Sequence, residues 1–417
     1  MLLCKKIKLE VSEQDAAALE FMQGKCRGLY NWLVLRLRDG ERWHLAEEKA
    51  RLVECRAYDP ELNDVYGKLL AEVYFRLDKA MKAFFTRVAN GETPGFPRVR
   101  PRHQFFTLCY PAMYIKIEGT MVLLPTGGGR GKKHKPYPTI RAGLTEEVPA
   151  GYREVAISRD ARGAYYASFV YRVQEAAQQS GQVVAFDLGI KTLATGVNEQ
   201  GRFYHLGGFR GYQWYNKQLD KIRSKRDRCQ KKSRRSIHLS QVYKRVSEQK
   251  RNKQKDCLHK ASHLIAGKLV ERTVVIGDLS QRQMVTKDHT EHLKALHRSV
   301  FNEWGLYGFV QMLTYKCQLA GKALVQINER DTSKTCSGCG HKQDMPLYKR
   351  TYRCETCGLV MDRDDNSAVN ILQRSLARLG PHASSEARCV AGEPGGVAVT
   401  GTAQAAHVQQ LTRLNTF

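Results

Sequence analysis

Four cysteines and a few carboxylates are the residues whose types and spacing could do chemistry. Cys336-Ser-Gly-Cys339 and Cys354-Glu-Thr-Cys357 form two Cys-x-x-Cys pairs fourteen residues apart. Each pair precedes a glycine, Gly340 or Gly358, that lets the backbone turn back. Four soft thiolates in a tetrahedron suit one zinc ion, and a closed sulfur shell leaves no open position for catalysis, so its role is structural. The bland alternative is a fortuitous cluster, since the other eight of twelve cysteines are scattered. Asp187 lies in the apolar run VVAFDLG, either as a solvated strand-end acid or as a buried functional one. Asp362, Asp364 and Asp365 stand in MDRDDNSAVNIL, where acids at a helix start can simply serve its dipole. Together, acids on a strand and at a helix start suit hard divalent cations, which activate water and stabilise the leaving oxygen in phosphodiester hydrolysis.

The elements that must position these groups follow from periodicity. LLCKKIKLEV alternates as a strand, and Ser12 with Asp15 opens a helix whose apolar stripe is Leu19, Met22, Cys26, Leu29, Tyr30 and Leu33. A second helical block covers about 61–89, with Leu69, Val73, Leu77, Ala80, Phe84 and Phe85 as its stripe, and stops at Asn90-Gly91 and Pro94–Pro97. Strands follow over about 105–173, with a turn at Asp160–Gly163. The glycine-rich basic loop Gly127–Lys135 lacks the Lys-Ser/Thr and helix of a phosphate-binding loop. From residue 182 a buried strand, a basic helical tract, the strand TVVIGDL (Thr273–Leu279), a helix over about 303–320 and the strand ALVQIN imply an α/β layer. Beyond about 376 no period is sustained, and a disordered tail is expected.

Charge says which partner these elements meet. The 68 Lys and Arg outnumber the 41 Asp and Glu, giving +27 and a pI near 9.7, an imbalance that points to a polyanion. Residues 217–260 hold 17 basic residues against four acidic ones, densest at Lys231, Lys232, Arg234 and Arg235. Between two strands of one domain, such a tract suits a nucleic-acid duplex better than a free tail. Arg98, Arg100 and Arg102, after the Pro-Gly-Phe-Pro turn, are expected as further phosphate contacts. Tyr212, Trp214 and Tyr215 could stack bases or pack into a core. No apolar run is long enough to span a bilayer and the first residues are unlike a signal peptide, so no membrane partner is expected.

FDLGIKTLAT, VVIGDLS, the paired cysteines and DRDDNSAVNIL, in that order, resemble the split RuvC nuclease domain with inserted zinc ribbon of transposon-encoded TnpB proteins and compact type V CRISPR effectors. CRGLYNW (Cys26–Trp32) and PGFPRVR (Pro94–Arg100) are similar to further motifs of that family. The resemblance implies a multidomain α/β and β protein. Residues 1–180 would be a β-barrel-like wedge domain with a helical insertion at about 12–92, and 181–330 the first part of an RNase H-like domain. The zinc ribbon would be 331–360, the last nuclease motif 361–376 and the tail 377–417.

It also implies an RNA-guided DNA endonuclease in a prokaryotic cytoplasm, associated with the nucleoid through DNA. Cofactors would be two magnesium ions, one zinc ion held by Cys336, Cys339, Cys354 and Cys357, and a guide RNA. The partners are guide RNA and double-stranded target DNA, cut next to a short recognised motif, with monomer or dimer left open. Arg98, Arg100 and Arg102 would be phosphate contacts for guide RNA or the recognised DNA motif. Asp187 and Asp364 match the first and last catalytic aspartates. The middle motif departs, since Gly277 stands where the family has glutamate, and Asp278 points to the opposite strand face. Glu303 shares a helical face with Leu306, Val310 and Leu313. It is either a dipole partner or a relocated third metal ligand, the reading adopted here. The alternative function is a nuclease-inactive RNA-guided DNA-binding protein, a repressor or recruiter, which Gly277 favours.

Overall fold

A computed structural model describes residues 1–128, 136–189, 192–278, 305–346 and 348–379. The chain divides into two units, Met1–Val173 and Gln174–Phe417.

In the first unit, strand β1 (Leu2–Glu10) leads into α1 (Glu13–Arg38), whose Ser12 cap accepts the Asp15 N–H at 3.1 Å. The expected stripe of α1, Leu19 to Leu33, is buried. Two short helices, α2 (Leu45–Ala50) and α3 (Leu52–Tyr58), and a 3₁₀ turn (Pro60–Asp64) precede α4 (Gly67–Ala89). Leu69, Val73 and Leu77 of α4 are buried, but Phe85 is 58% exposed and Phe84 packs edge-on against Phe96. The last turn thus extends past the core, which ends the apolar stripe one turn before the sequence does.

Strands β2 (Leu108–Pro111), β3 (Lys116–Glu118), β4 (Met121–Leu124), β5 (Ile140–Leu144), β6 (Tyr152–Arg159) and β7 (Tyr165–Arg172) join β1 in one antiparallel sheet. The order is β2-β6-β7-β1-β5-β4-β3. Strand β1 pairs with β7 along most of its length and with β5 only at Leu9 and Glu10, so the sheet curls around that corner. The α1 and α4 stripes share the sheet's core with Ile7, Tyr110 and Phe169.

The second unit opens with β8 (Val183–Leu188), β9 (Thr192–Asn198) and β10 (Phe203–Gly207). Helices α5 (Tyr212–Asp227) and α6 (Arg234–His263) then lead to β11 (Thr273–Gly277), α7 (Leu306–Leu319) and β12 (Ala323–Ile327). The short strands β13 (Thr351–Arg353) and β14 (Val360–Asp362) precede α8 (Arg363–Leu379), which runs three residues past the expected start of the tail. The five-stranded order is β10-β9-β8-β11-β12, with β8, β11 and β12 parallel and β9 and β10 antiparallel.

Strand alternation sorts the sheet's two faces. Val183, Ala185, Val275 and Ile327 pack against Ala368, Ile371 and Leu372 of α8. Val184, Phe186, Val274 and Ile276 pack on the other face against α6 and α7, through Leu258, Leu306, Phe309 and Leu313. Gly196 admits the Phe186 ring there, since a Cβ at 196 would lie 2.3 Å from Cε1. Among the described residues no helix is long and apolar enough to cross a membrane.

Candidate metal and nucleic-acid sites

The cysteine knuckles lie between β12 and α8. Gly340 and Gly358 adopt φ of 76° and 72°, the left-handed conformation that the tight returns require. The sulfurs of Cys336, Cys339, Cys354 and Cys357 all lie within 4.8 Å of one another. Cys336 Sγ is 3.6 Å from Cys357 Sγ, and Cys339 Sγ is 3.5 Å from Cys354 Sγ. Four sulfurs about 2.3 Å from a central ion would stand about 3.8 Å apart, so the donor set fits zinc. Backbone N–H groups of Cys357 and Thr356 hold the Cys354 thiol below its ordinary range, whereas burial raises that of Cys336, so a bound metal would have to displace the remaining thiol protons. Tyr352 and Met345 fill the small space beneath the knuckles, too little apolar volume to fold such a piece unaided.

Two asparagines fasten this ribbon to α8. Asn366 donates to the Thr335 carbonyl at 2.8 Å and accepts the Ser337 N–H at 2.9 Å. Asn370, one turn on, donates to the Thr332 and Thr335 carbonyls. The chain leaving the second knuckle then runs through β14 directly into the first turn of α8, so the ribbon sets the place of Asp364.

The carboxylates lie near one another at the α8 side of the carboxyl end of the parallel strands. Asp187, next to last in β8, follows the same alternation as Val183 and Ala185, which turns it toward α8. Desolvation first, then the charges of Glu329 and Asp364, raise its carboxyl well above the ordinary range, while a Ser367 hydrogen bond and Arg363 act the other way. Asp364 lies 3.6 Å from the Arg350 guanidinium, and its N–H is held by Asp362. Asp365 points elsewhere, with Oδ1 3.6 Å from His205 Nε2.

Glu329 was not singled out in the sequence, yet its carboxylate occupies the space that a side chain at 277 would take. Gly277 is paired with Ile327 in the parallel register of β11 and β12, so Glu329, two residues past Ile327, falls on the same face. A Cβ on Gly277 would lie 2.0 Å from Glu329 Oε2 and 3.1 Å from its Cβ. That Oε2 is closed off from solvent without a hydrogen-bond partner, and burial followed by the Asp278 charge pushes the group's pKa up to about 7. Asp278 is exposed, and its N–H donates to Ile327 O at 2.7 Å. Glu303 lies outside the described residues. The missed sequence clue was the alternation Val325, Ile327, Glu329, which carries an acid on the buried face just past an apolar strand.

A hydrogen-bonded chain fixes the Glu329 loop. The Thr332 N–H and Oγ1 both donate to Glu329 O, at 3.1 and 2.9 Å. Thr332 Oγ1 lies 2.9 Å from Ser367 Oγ, which in turn bonds to Asp187. Arg374 donates to the Asn328 and Arg330 carbonyls on either side. Ser367, Asn370 and Arg374 thus clamp one loop from one face of α8. Among the described residues the cysteines alone bring three or more donors within 4.8 Å of one another, and the carboxylates stand wider.

The basic tract is a helical hairpin, α5 packed on α6. Its turn exposes Lys231, Lys232, Arg234 and Arg235, with Lys232 at φ 66° and Ser233 capping α6. Trp214 is 59% exposed and stands edge-on to Tyr215, so it is free to stack. In the first unit, Arg98, Arg100 and Arg102 are exposed on a strap held to α1. Asn31 accepts the Arg100 N–H and donates to its carbonyl, and Arg27 donates to Arg102 O.

Comparison with known proteins bears on this arrangement. Residues 168–288 match the family described as OrfB_IS605, "Probable transposase", and 307–371 match "Cas12f1-like, TNB domain", a span that holds the four cysteines, Glu329 and Asp364. The TnpB-like protein L79 of Acanthamoeba polyphaga mimivirus is 35% identical over 144 residues, which are 34% of this chain and 27% of that protein. A Streptomyces pristinaespiralis protein named as a candidate RNA-guided DNA endonuclease is 34% identical over 149 residues, 35% of this chain and 33% of that one. The matches therefore span about a third or less of these curated relatives. In fold, the chain aligns with a Cas12f1 effector solved with single-guide RNA and target DNA, at TM-score 0.60 and 14% identity, over 86% of this chain and 83% of that one. The chain is thus similar to TnpB-like proteins in sequence and to a Cas12f1 effector in fold.

Proposed function

We propose that the protein is an RNA-guided DNA endonuclease that hydrolyses target DNA next to a short recognised motif. The observation that carries this reading is a set of converging, partly buried carboxylates at the end of β8 and the start of α8, in a chain of +27. Cation-free, such a cluster is electrostatically unfavourable; divalent ions turn it into a binding site. Asp187 and Asp364 are the first expected holders. When bound, two magnesium ions would supply water activation and neutralise charge at the scissile phosphate. Ser367 orients Asp187, and the ribbon, through Asn366 and Asn370, holds α8 so that Asp364 keeps its place. We read the five-stranded unit as the RuvC-like nuclease domain and the curled sheet as the wedge. The α5–α6 turn and the Arg98–Arg102 strap are the phosphate contacts for guide and target. Sequence would be read by guide pairing, as in other RNA-guided effectors.

The test is to purify the protein with co-expressed RNA, sequence that RNA, and offer matching targets with randomised flanks in Mg²⁺. Cleavage beside one flank motif that stops with EDTA and in Asp187→Ala supports the reading. Cutting that ignores the RNA overturns it. Guided binding without cutting in Mg²⁺ or Mn²⁺ establishes the second reading, an inactive DNA binder.

A further inference from the structure

Resting on the nuclease reading, we infer that Glu329, delivered from the strand beside the usual one, is the third metal-binding carboxylate, and that Gly277 is its necessary counterpart. Three independent features converge. The first is steric: the Glu329 carboxylate takes the space of a side chain at 277, with Oε2 2.0 Å from where that Cβ would be. The second is register: Gly277 pairs with Ile327, so alternation aims residue 329 at the face that carries Asp187 and α8. The third is chemical: Glu329 Oε2 is buried without a hydrogen-bond partner. An acid placed only for structure would be expected to find a donor, because a buried unpaired acceptor is costly. Here donors surround the backbone of the Glu329 loop, through Thr332, Asn370 and Arg374, and leave the carboxylate free for a cation.

The two positions then act as one exchangeable unit. A glutamate cannot be added at 277 while Glu329 is present, but exchanging the two residues returns a carboxylate to the same space from the neighbouring strand. Neither single change has this property.

The experiment uses the full chain purified with its RNA, and reads Mn²⁺ affinity by electron paramagnetic resonance or calorimetry beside target cleavage and melting temperature. Glu329→Gln, isosteric and uncharged, is expected to weaken Mn²⁺ binding by more than about tenfold and cleavage by about 100-fold or more, with melting preserved. The exchange Gly277→Glu with Glu329→Gly is expected to recover most of both, whereas Gly277→Glu alone does not. Wild-type Mn²⁺ binding and cleavage in Glu329→Gln overturn the inference, as does loss of both in Glu303→Gln with Glu329→Gln unaffected. If Asp187→Ala still cuts, the nuclease reading itself fails. If no protein cuts but Mn²⁺ binding is lost in Glu329→Gln and recovered in the exchange, the metal assignment stands and only the nuclease reading falls.

Discussion

The cysteine knuckles and the carboxylate centre are both donor sets suited to metal, and they are built in opposite ways. The knuckles come from one segment of 22 residues, Cys336 to Cys357, closed by two left-handed glycines. The carboxylates come from the end of β8, the loop after β12 and the start of α8, brought together by the sheet and by the hydrogen bonds that tie α8 to the ribbon and to that loop. Sulfur donors on two short knuckles can stand close together with little scaffold around them. Carboxylates repel one another, so a rigid scaffold must hold them against that repulsion.

If this contrast is right, the two sets should fail differently. Cys354→Ser is expected to have the largest effect: zinc content, measured by mass spectrometry, falls from one per chain toward zero, and the ribbon loses metal-derived folding free energy of order 10 kcal/mol. Cleavage then falls with it, because the ribbon holds α8. Asp187→Asn should behave in reverse. Cleavage drops by about 10²–10³, about 2.7–4 kcal/mol of barrier, while the metal-free protein melts no lower than wild type, since a repelled charge is removed. A lower melting temperature together with unchanged cleavage would erase the distinction.

Asn370→Ala sharpens the link between the two sets. It removes the hydrogen bonds to the Thr332 and Thr335 carbonyls, for an expected loss of about 1–3 kcal/mol in denaturant titration. Zinc content should remain at one per chain. The smallest change is expected at the α5–α6 turn, which belongs to neither set. Replacing Lys231, Lys232, Arg234 and Arg235 with alanine should weaken RNA or duplex binding by about tenfold, about 1.4 kcal/mol. The dependence of log affinity on log salt should also become shallower, with zinc content and melting unchanged.

Legibility followed the distance over which each feature is encoded. The buried stripe of α1 and its Ser12 cap were readable because helical spacing and capping are local. The stripe of α4 was overextended at Phe85, where burial depended on how far the sheet reaches and not on the helix period. Arg98, Arg100 and Arg102 were readable as basic residues, but their attachment to α1 through Asn31 and Arg27 spans some seventy residues and was not. Glu329 was missed for the same reason. Its alternation with Val325 and Ile327 was visible, but nothing in β12 reveals that β11 beside it carries a glycine.

By itself the sequence determined the four-sulfur set, the strand that carries Asp187 and the helix start that carries Asp364, while the gap at Gly277 stood out only against the family it resembles. Each depends on residue type and short spacing, which the backbone turns into geometry directly. Only the tertiary structure decided what occupies that gap. The parallel register that pairs Gly277 with Ile327 exists in neither strand alone, and it brings the Glu329 carboxylate into the space the glycine leaves open.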